Sequence, residues 1–430
     1  MLPLFVICEP IVGLWVSFGP AGVSSRNNRI KKKFSRSSSR YGILRPLKTV
    51  YFDHNATTPL DPAVREAMLP FLDVVWGNPS SVHHVGREAR ARLDDFRDRT
   101  ALVLKCKPSE VIFTSGGTES NNLAIFGVAR MLKAKGRHII SSAVEHHAVL
   151  HCLDYLAKKE GFEITLLPVN RDGRVSVAAL EKAIRPDTIL VSIMAANNEI
   201  GTMQPVAELG AVCRSRGVLF HTDAAQWFGK EPFTGVNQFN ADLVSICAHK
   251  FHGPKGVGAL YIKSPLHPDS ILFGGGHENE RRAGTENLPA IAGFAKALDL
   301  FVQTPVFSRE KMLPLTSRLE SFIETLPEVA LVSPKVGRLS NTTAFVVGGA
   351  DSITLLAGLD IEGICASSGS ACSAGSLEPS HVISALGVDA RLANSLVRFS
   401  LGRDSSLEEV LFVEKVLPEI LRRAQVPDKY

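Results

Sequence analysis

The sequence predicts an α/β fold: a mostly parallel central sheet with helices on both faces, and a smaller α/β domain at the carboxyl end. Three observations lead there. From Val50 onward, short β-rich runs alternate with longer amphipathic ones, the pattern of strands joined by crossover helices. Several short runs are apolar almost without a break, as in Ile189-Leu190-Val191-Ser192-Ile193-Met194, which suits strands covered on both faces. After about residue 300 the regular alternation gives way to mixed helical and extended runs.

In chain order the expected strands are 111–114, 138–141, 163–169, 188–194, 218–222, 242–248 and 258–262. Helix-like stretches between them cover 118–134, 145–160, 176–184 and 204–216, where apolar residues recur at helical spacing. Farther on, runs 313–326, 342–347 and 352–359 mix the two characters, and a loop of small residues occupies 366–376. No internal repeat is present.

Composition excludes several classes. Of 430 residues, 45% are hydrophobic and 21% charged, which fits a globular enzyme of two or three domains. It does not fit a disordered chain, a collagen or a small disulfide scaffold. No stretch of 18 apolar residues lacks both charge and proline, so a polytopic membrane protein is excluded and no membrane association is expected. The net charge of +5 is uneven: residues 1–48 carry nine basic side chains against one acid, leaving −3 for residues 49–430. A mildly acidic body offers no basic face to nucleic acid. Seven cysteines, an odd number without a CxxC pair, point to reduced thiols in a cytoplasmic compartment. Cys8, Cys106, Cys152 and Cys213 read as inert filler in buried strands. Cys365 reads as structural, with a resolving thiol as the lesser alternative.

Residues 1–48 stand apart. An apolar stretch broken by Pro3, Glu9, Pro10 and Pro20 precedes a Ser/Arg/Lys-rich one. With no basic region ahead of it, the apolar part makes a poor secretory signal, whereas the Ser/Arg-rich, acid-poor composition suits organelle targeting. A disordered extension, or sequence upstream of the true start, is the plainer expectation.

In a parallel sheet, ligands bind at the carboxyl ends of strands, and the chemically interesting residues follow the expected strands. Thr114-Ser-Gly-Gly-Thr-Glu-Ser120 turns from a strand into a helix. Gly116 and Gly117 let backbone approach a ligand, free N–H groups face an anion, and Thr118 and Ser120 add hydroxyls. Taken alone, this pattern also describes an ordinary turn and helix cap. His221-Thr-Asp-Ala-Ala-Gln226 closes another strand. A buried Asp223 needs a partner, and a protonated pyridine nitrogen is one; a helix cap is another. Ala248-His249-Lys250 closes the next strand, and a lysine in such apolar surroundings has a lowered pKa and can form a Schiff base. A strand-end lysine 27 residues after a strand-end aspartate, both downstream of a glycine anion site, is the constellation of a pyridoxal phosphate enzyme. Glu145-His146-His147 places a histidine where it can stack on a ring or move a proton. Zinc on His146 and His147 is disfavoured, because adjacent helical residues point apart. Cys372 sits in the small-residue loop, which gives a thiol room to travel. Arg398 can hold a carboxylate in a bidentate fork or join a surface ion pair.

These motifs, together with Tyr51-Phe-Asp-His-Asn-Ala-Thr-Thr-Pro59, Gly77-Asn-Pro-Ser-Ser81, Asn197-Asn-Glu-Ile-Gly201, Gly274-Gly-Gly-His-Glu278, Arg282-Ala-Gly-Thr285 and Ser368-Gly-Ser-Ala-Cys-Ser373, make residues 49–430 resemble the cysteine desulfurases of the NifS/IscS type, within the class V aminotransferases. The resemblance implies a fold type I pyridoxal 5'-phosphate (PLP) enzyme. Residues 49–62 would pack with a small domain, 63–300 form the large PLP-binding domain, and 301–430 form the small domain carrying the cysteine loop.

It also implies roles. Lys250 would form the Schiff base, Asp223 pair with the pyridine nitrogen, Gln226 reach the phenolic oxygen and His146 stack on the ring. Gly117 and Thr118 would bind the phosphate, with His249 beside them and Thr285 reaching in from the other subunit of a homodimer. Asn197 and Arg398 would hold the carboxylate of L-cysteine. Cys372 would take the sulfur as a persulfide and pass it to acceptor proteins, such as iron–sulfur scaffolds or tRNA-thiolation proteins, and could serve as a transient iron–sulfur ligand. Cys247 departs from the family's usual serine, and a thiol is a weaker donor to the phosphate. A selenocysteine lyase or another class V lyase is the rival, and would share Lys250 and Asp223.

Overall fold

The computed structural model describes residues 49–369 and 379–425, all within one compact unit. The expectations for residues 1–48, for Cys8 and for Cys372 lie outside the described residues. The strands are β1 (Val50–Tyr51), β2 (Val111–Thr114), β3 (His138–Ser142), β4 (Glu163–Leu167), β5 (Thr188–Ser192), β6 (Leu219–Asp223), β7 (Leu243–Cys247), β8 (Gly258–Ile262), β9 (Val329–Leu331), β10 (Thr342–Val347), β11 (Ile364–Cys365) and β12 (Val397–Ser400). The helices are α1 (Pro62–Met68), α2 (Pro70–Asp73), α3 (His84–Leu104), α4 (Gly117–Leu132), α5 (His147–Glu160), α6 (Val177–Ala183), α7 (Val206–Ser215), α8 (Leu288–Phe301), α9 (Arg309–Ile323), α10 (Ser352–Ile361), α11 (His381–Ala385), α12 (Ala390–Ala393) and α13 (Leu407–Ala424).

The central sheet has seven strands in the order β2-β8-β7-β6-β5-β3-β4. All neighbours are parallel except β8, which runs antiparallel to both β2 and β7. Side chains alternate across it, as the two-residue period of a strand requires. Ile112, Ile139, Leu190, Leu243 and Leu260 bury with α4 and α5 on one face. Phe113, Ile140, Val191, Phe220, Val244 and Ile246 bury with α3, α7 and α8 on the other. Each large apolar side chain so buried contributes about 1.5–3 kcal/mol. Edge strand β4 is guarded by charge: Glu163 pairs with Arg185, as exposed edges require.

A three-stranded antiparallel sheet, β12-β10-β9, has its own core of Phe345, Val347, Val397, Phe399 and residues of α9, α10 and α13. The start of the described chain is stitched to it and to a separate two-stranded parallel sheet, β1-β11. Val50 pairs with Ile364, Asp53 bridges Ser400, and the His54 N–H donates to the Ser400 carbonyl at 3.0 Å. Gly402 permits this approach, since a Cβ there would sit 2.1 Å from the His54 ring.

The cysteine expectation needs correcting on location. Cys152 and Cys213 are buried on α5 and α7, and half-buried Cys106 follows α3. None of the three lies in a strand, because their helices turn an apolar stripe, not a pleat, toward the core.

Candidate active site

Five strand ends open on one cavity of about 220 Å³, lined by sixteen residues from Asn55 to Arg398. Of the residues singled out in the sequence, Gly117, Thr118, His146, Asp223, Gln226, Cys247, His249, Lys250 and Arg398 all line it.

The floor is built by β2, β6 and β7. Gly116 sits at φ +147°, a backbone that favours glycine, and hands over to α4. Gly117 opens a 16-residue helix and, with Thr118, lines the cavity, so the first N–H groups of the helix lie at its edge. Asp223 closes β6. Its carboxylate accepts from Asn121 Nδ2 at 2.6 Å and from the Ala225 N–H at 3.0 Å, which compensates for its burial. Lys250 follows β7. Its Nζ donates to the Asn55 and Ala56 carbonyls at 2.7 Å each. Burial pushes its pKa down from 10.5, the shift that makes an amine nucleophilic.

His146 caps α5. Its Nδ1 accepts from the Ala148 N–H at 3.0 Å, so the proton of the neutral ring belongs on Nε2. Burial lowers its pKa. The preceding Glu145 is fully buried, held by Ser142 Oγ at 2.6 Å and the Met194 N–H at 3.0 Å, and burial raises its pKa to about 8. His249 meets Thr57 Oγ1 at 3.1 Å, and burial lowers its pKa to about 4. Cys247 is buried at the floor with its pKa raised chiefly by that burial, so it stays a neutral thiol.

Arg398 forms the opposite wall from β12. It is 1% exposed and pairs with Asp53 at 2.6 Å; its Nη1 also donates to the Asn198 and Gly369 carbonyls. Its Nε is buried without a protein partner.

Three expected residues lie elsewhere. Asn197 does not line the cavity. Its Nδ2 is spent on the Val144 carbonyl at 3.0 Å and its Oδ1 on the Glu199 and Ile200 N–H groups, a local turn that buries it completely. The next residue, Asn198, lines the cavity instead. Ser120 is buried against Thr114 Oγ1 at 2.8 Å and offers its hydroxyl to no ligand. Thr285 is exposed in the loop before α8, outside the cavity of its own chain. Cys372 lies outside the described residues; on one side of it the Gly369 carbonyl accepts from Arg398 Nη1, and on the other Ser380 Oγ donates to Glu199. Sequence reading passed over Asn55, Asn121 and Lys230. The signal for Asn55 was present in the Tyr51–Pro59 motif; for the other two there was none, since an amide and a lysine acquire meaning only from what they touch.

Those residues fit PLP. A helix N-terminus bared by glycine suits a phosphate, a carboxylate at a strand end suits a ring N–H, and a desolvated lysine suits the aldehyde. Among the described residues, no group of three or more His, Cys, Asp or Glu could hold a metal ion. The family model described as aminotransferase class-V matches residues 50–413. The chain belongs to the class V aminotransferases. Within that family it is similar to cysteine desulfurases of the NifS/IscS type. The cysteine desulfurase IscS of Dictyoglomus turgidum is 47% identical over 386 residues, covering 89% of this chain and 97% of its own. The mitochondrial cysteine desulfurase of Candida albicans is 42% identical over 397 residues, covering 90% and 79%. A solved NifS-like protein superposes with a TM-score of 0.81 at 38% identity, covering 87% of this chain and 100% of its own. The family model thus spans all the strands that build the cavity, β2 to β12.

Proposed function

We propose that this enzyme removes sulfur from L-cysteine with PLP, releasing L-alanine and leaving a persulfide on Cys372 that is passed to acceptor proteins. The observation that carries this reading is the joint placement of Lys250, Asp223 and Arg398 around one cavity, in a chain whose relatives are named cysteine desulfurases. A selenocysteine lyase or another class V lyase stands second, since no relative described above carries such a name.

PLP supplies an electron sink at the substrate Cα. The residues around it do the rest. Of the residues lining the cavity, Asp223 would hold the ring-nitrogen proton, Gln226 would serve the phenolic oxygen and His146 would stack on the ring. Gly117, Thr118 and Cys247 bind the phosphate, with His249 alongside. Arg398 holds the substrate carboxylate through its unpartnered Nε side, and Asn198 replaces Asn197 as its companion. Lys250, whose amine burial keeps poorly protonated, would act as the general base that takes the Cα proton. Cys372 attacks as a thiolate: its sulfur bonds the substrate sulfur while the substrate carbon–sulfur bond breaks. The carbon fragment keeps that electron pair and, once protonated, leaves as alanine. His146, which lines the cavity, is the candidate to handle the proton that Cys372 loses. The persulfide sulfur then moves to an iron–sulfur scaffold or a tRNA-thiolation protein, with Cys372 a transient iron–sulfur ligand during transfer.

Three further readings belong here. Thr285, exposed in its own chain, completes the phosphate site of a second copy in a homodimer; light scattering of the PLP-loaded protein checks this, and a monomer with full cofactor occupancy refutes it. Residues 63–300 and 301–430 are two domains, with 49–62 bound to the second. The protein works in the cytoplasm, or in an organelle if residues 1–48 act as a targeting segment; among the described residues no helix is long and apolar enough to cross a membrane.

The deciding experiment measures alanine release from L-cysteine with a thiol reductant, for the wild type and Cys372→Ala side by side. Release by the wild type alone is expected. Release by both refutes the persulfide step. A yellow, cofactor-bound but inactive wild type refutes the substrate.

A further inference from the structure

A second lysine lies buried behind the cavity. Lys230 is 2% exposed, and among the described residues no carboxylate is paired with it. Its Nζ donates to Asn55 Oδ1 at 2.6 Å and to Gln226 Oε1, and lies 5.4 Å from the centre of the Phe307 ring. Holding an amine in such a place is costly. Burial pushes its pKa well down, with Lys250 and Arg398 adding to the effect.

What the position achieves is visible at Gln226. The two ends of a glutamine amide have nearly the same shape, so neighbours decide which way it faces. A lysine amine donates, so its contact fixes the Oε1 end toward Lys230. The Nε2 end then faces Asn55, donating to its carbonyl at 2.9 Å, the same carbonyl that accepts from Lys250. Nε2 carries two protons and this bond uses one. The other is left for the cavity, which Gln226 lines.

We propose that Lys230 is a positioning residue: by donating to Gln226 Oε1 it locks the amide with Nε2 toward the cavity, so that the cofactor's phenolic oxygen always meets a donor and never the amide oxygen. This rests on the reading of Gln226 and PLP given above. If Lys230 is lost, the amide turns freely, and half of its orientations set an acceptor against an anionic oxygen.

The test uses the PLP-loaded protein and reads the pH midpoint of the cofactor's visible absorption band, with the melting temperature as the control for structure. The titratable groups facing Lys230 are Lys250, Arg398, His54 and His249; both histidines titrate near 4, away from the band's transition. Lys230→Met should raise the midpoint by about one pH unit, because loss of the donor that fixes Gln226 favours the protonated chromophore. Its melting temperature should hold or rise, since an apolar side chain replaces a buried amine. Lys230→Arg, which keeps a donor, should stay near the wild type. Gln226→Ala should raise the midpoint by itself, and adding Lys230→Met to it should change little more, as expected for two residues acting in series. An unmoved midpoint in Lys230→Met overturns the proposal. So does an equal rise in the Gln226→Ala background, which would mean that the lysine acts by charge alone. An unmoved midpoint in Gln226→Ala refutes the role of Gln226, and the proposal with it. Lys230→Leu carries the same expectation and serves if the methionine variant does not fold.

Discussion

The two sheets meet the cavity in different ways. The seven-stranded sheet presents several groups, each at the carboxyl end of its own strand: Gly117 and Thr118 after β2, His146 after β3, Asp223 on β6, Cys247 and Lys250 at β7. The three-stranded sheet presents one, Arg398, from the middle of β12. The first set is placed by parallel topology, which gathers strand ends on one side. The second is placed by pairing with a distant piece of chain, since Asp53 and the Asn198 carbonyl hold the guanidinium. The strand-end groups are therefore placed by the fold, whereas the Arg398 guanidinium is placed by an assembled contact.

That contrast can be broken from either side. The largest effect is expected from the parallel edge: Lys250→Ala should cut alanine formation by about ten-thousand-fold, measured by alanine release, while leaving the melting temperature of the cofactor-free protein near its original value. A large loss of stability would show that the edge is structural as well. On the assembled side, Arg398→Ala leaves Asp53 without its partner and should destabilise the protein by about 3–5 kcal/mol, as breaking a buried pair does. Denaturant unfolding reads this, and an unchanged midpoint would show that the segment around Asp53 is held by strand pairing alone. Asp223→Asn keeps the shape but removes the charge, and should lower kcat by about a hundredfold with a small change in KM.

The smallest effects concern pH and stability. His54, His221 and His249 all have pKa values lowered by burial to about 4. The unfolded chain binds protons at these sites from about pH 6.5 downward, so the stability they leave intact above 6.5 is lost as pH falls toward 4. Glu145 works in the opposite sense. Its folded pKa of about 8 lies above the ordinary 4.5, so its contribution is full below 4.5 and is lost as pH rises through 8. Thermal melts across pH 4–9 should show a dome, and Glu145→Gln should flatten its alkaline side only.

The same contrast governs what could be read from the sequence. All seven strands of the central sheet were legible, because apolar runs bounded by turn residues are a local signal, and the residues following β2, β3, β6 and β7 line the cavity. Helix α3 was passed over: its Arg, Asp and Glu residues mask the stripe of Ala89, Leu93, Phe96 and Ala101 that packs on the sheet. Asn197 was chosen over Asn198 because adjacent identical residues cannot be told apart until the backbone turns; the turn spends one on Val144 and shows the other to the cavity. Ser120 misled for a related reason, since its hydroxyl faces Thr114 across the first turn of α4. Asn121 had no local signature, because its partner Asp223 lies 102 residues away; Lys230 meets Gln226 four residues back, but its other partner, Asn55, is 175 residues away, and nothing local shows that the lysine is buried.

The stitching of the first described residues sets a limit on maturation. Val50 already pairs with Ile364, and Asn55 and Ala56 supply the carbonyls that hold Lys250. If residues 1–48 are a segment that a protease removes, its cut falls before Val50. A cut ten residues later would remove the acceptors of the lysine and the counterion of Arg398 in one step.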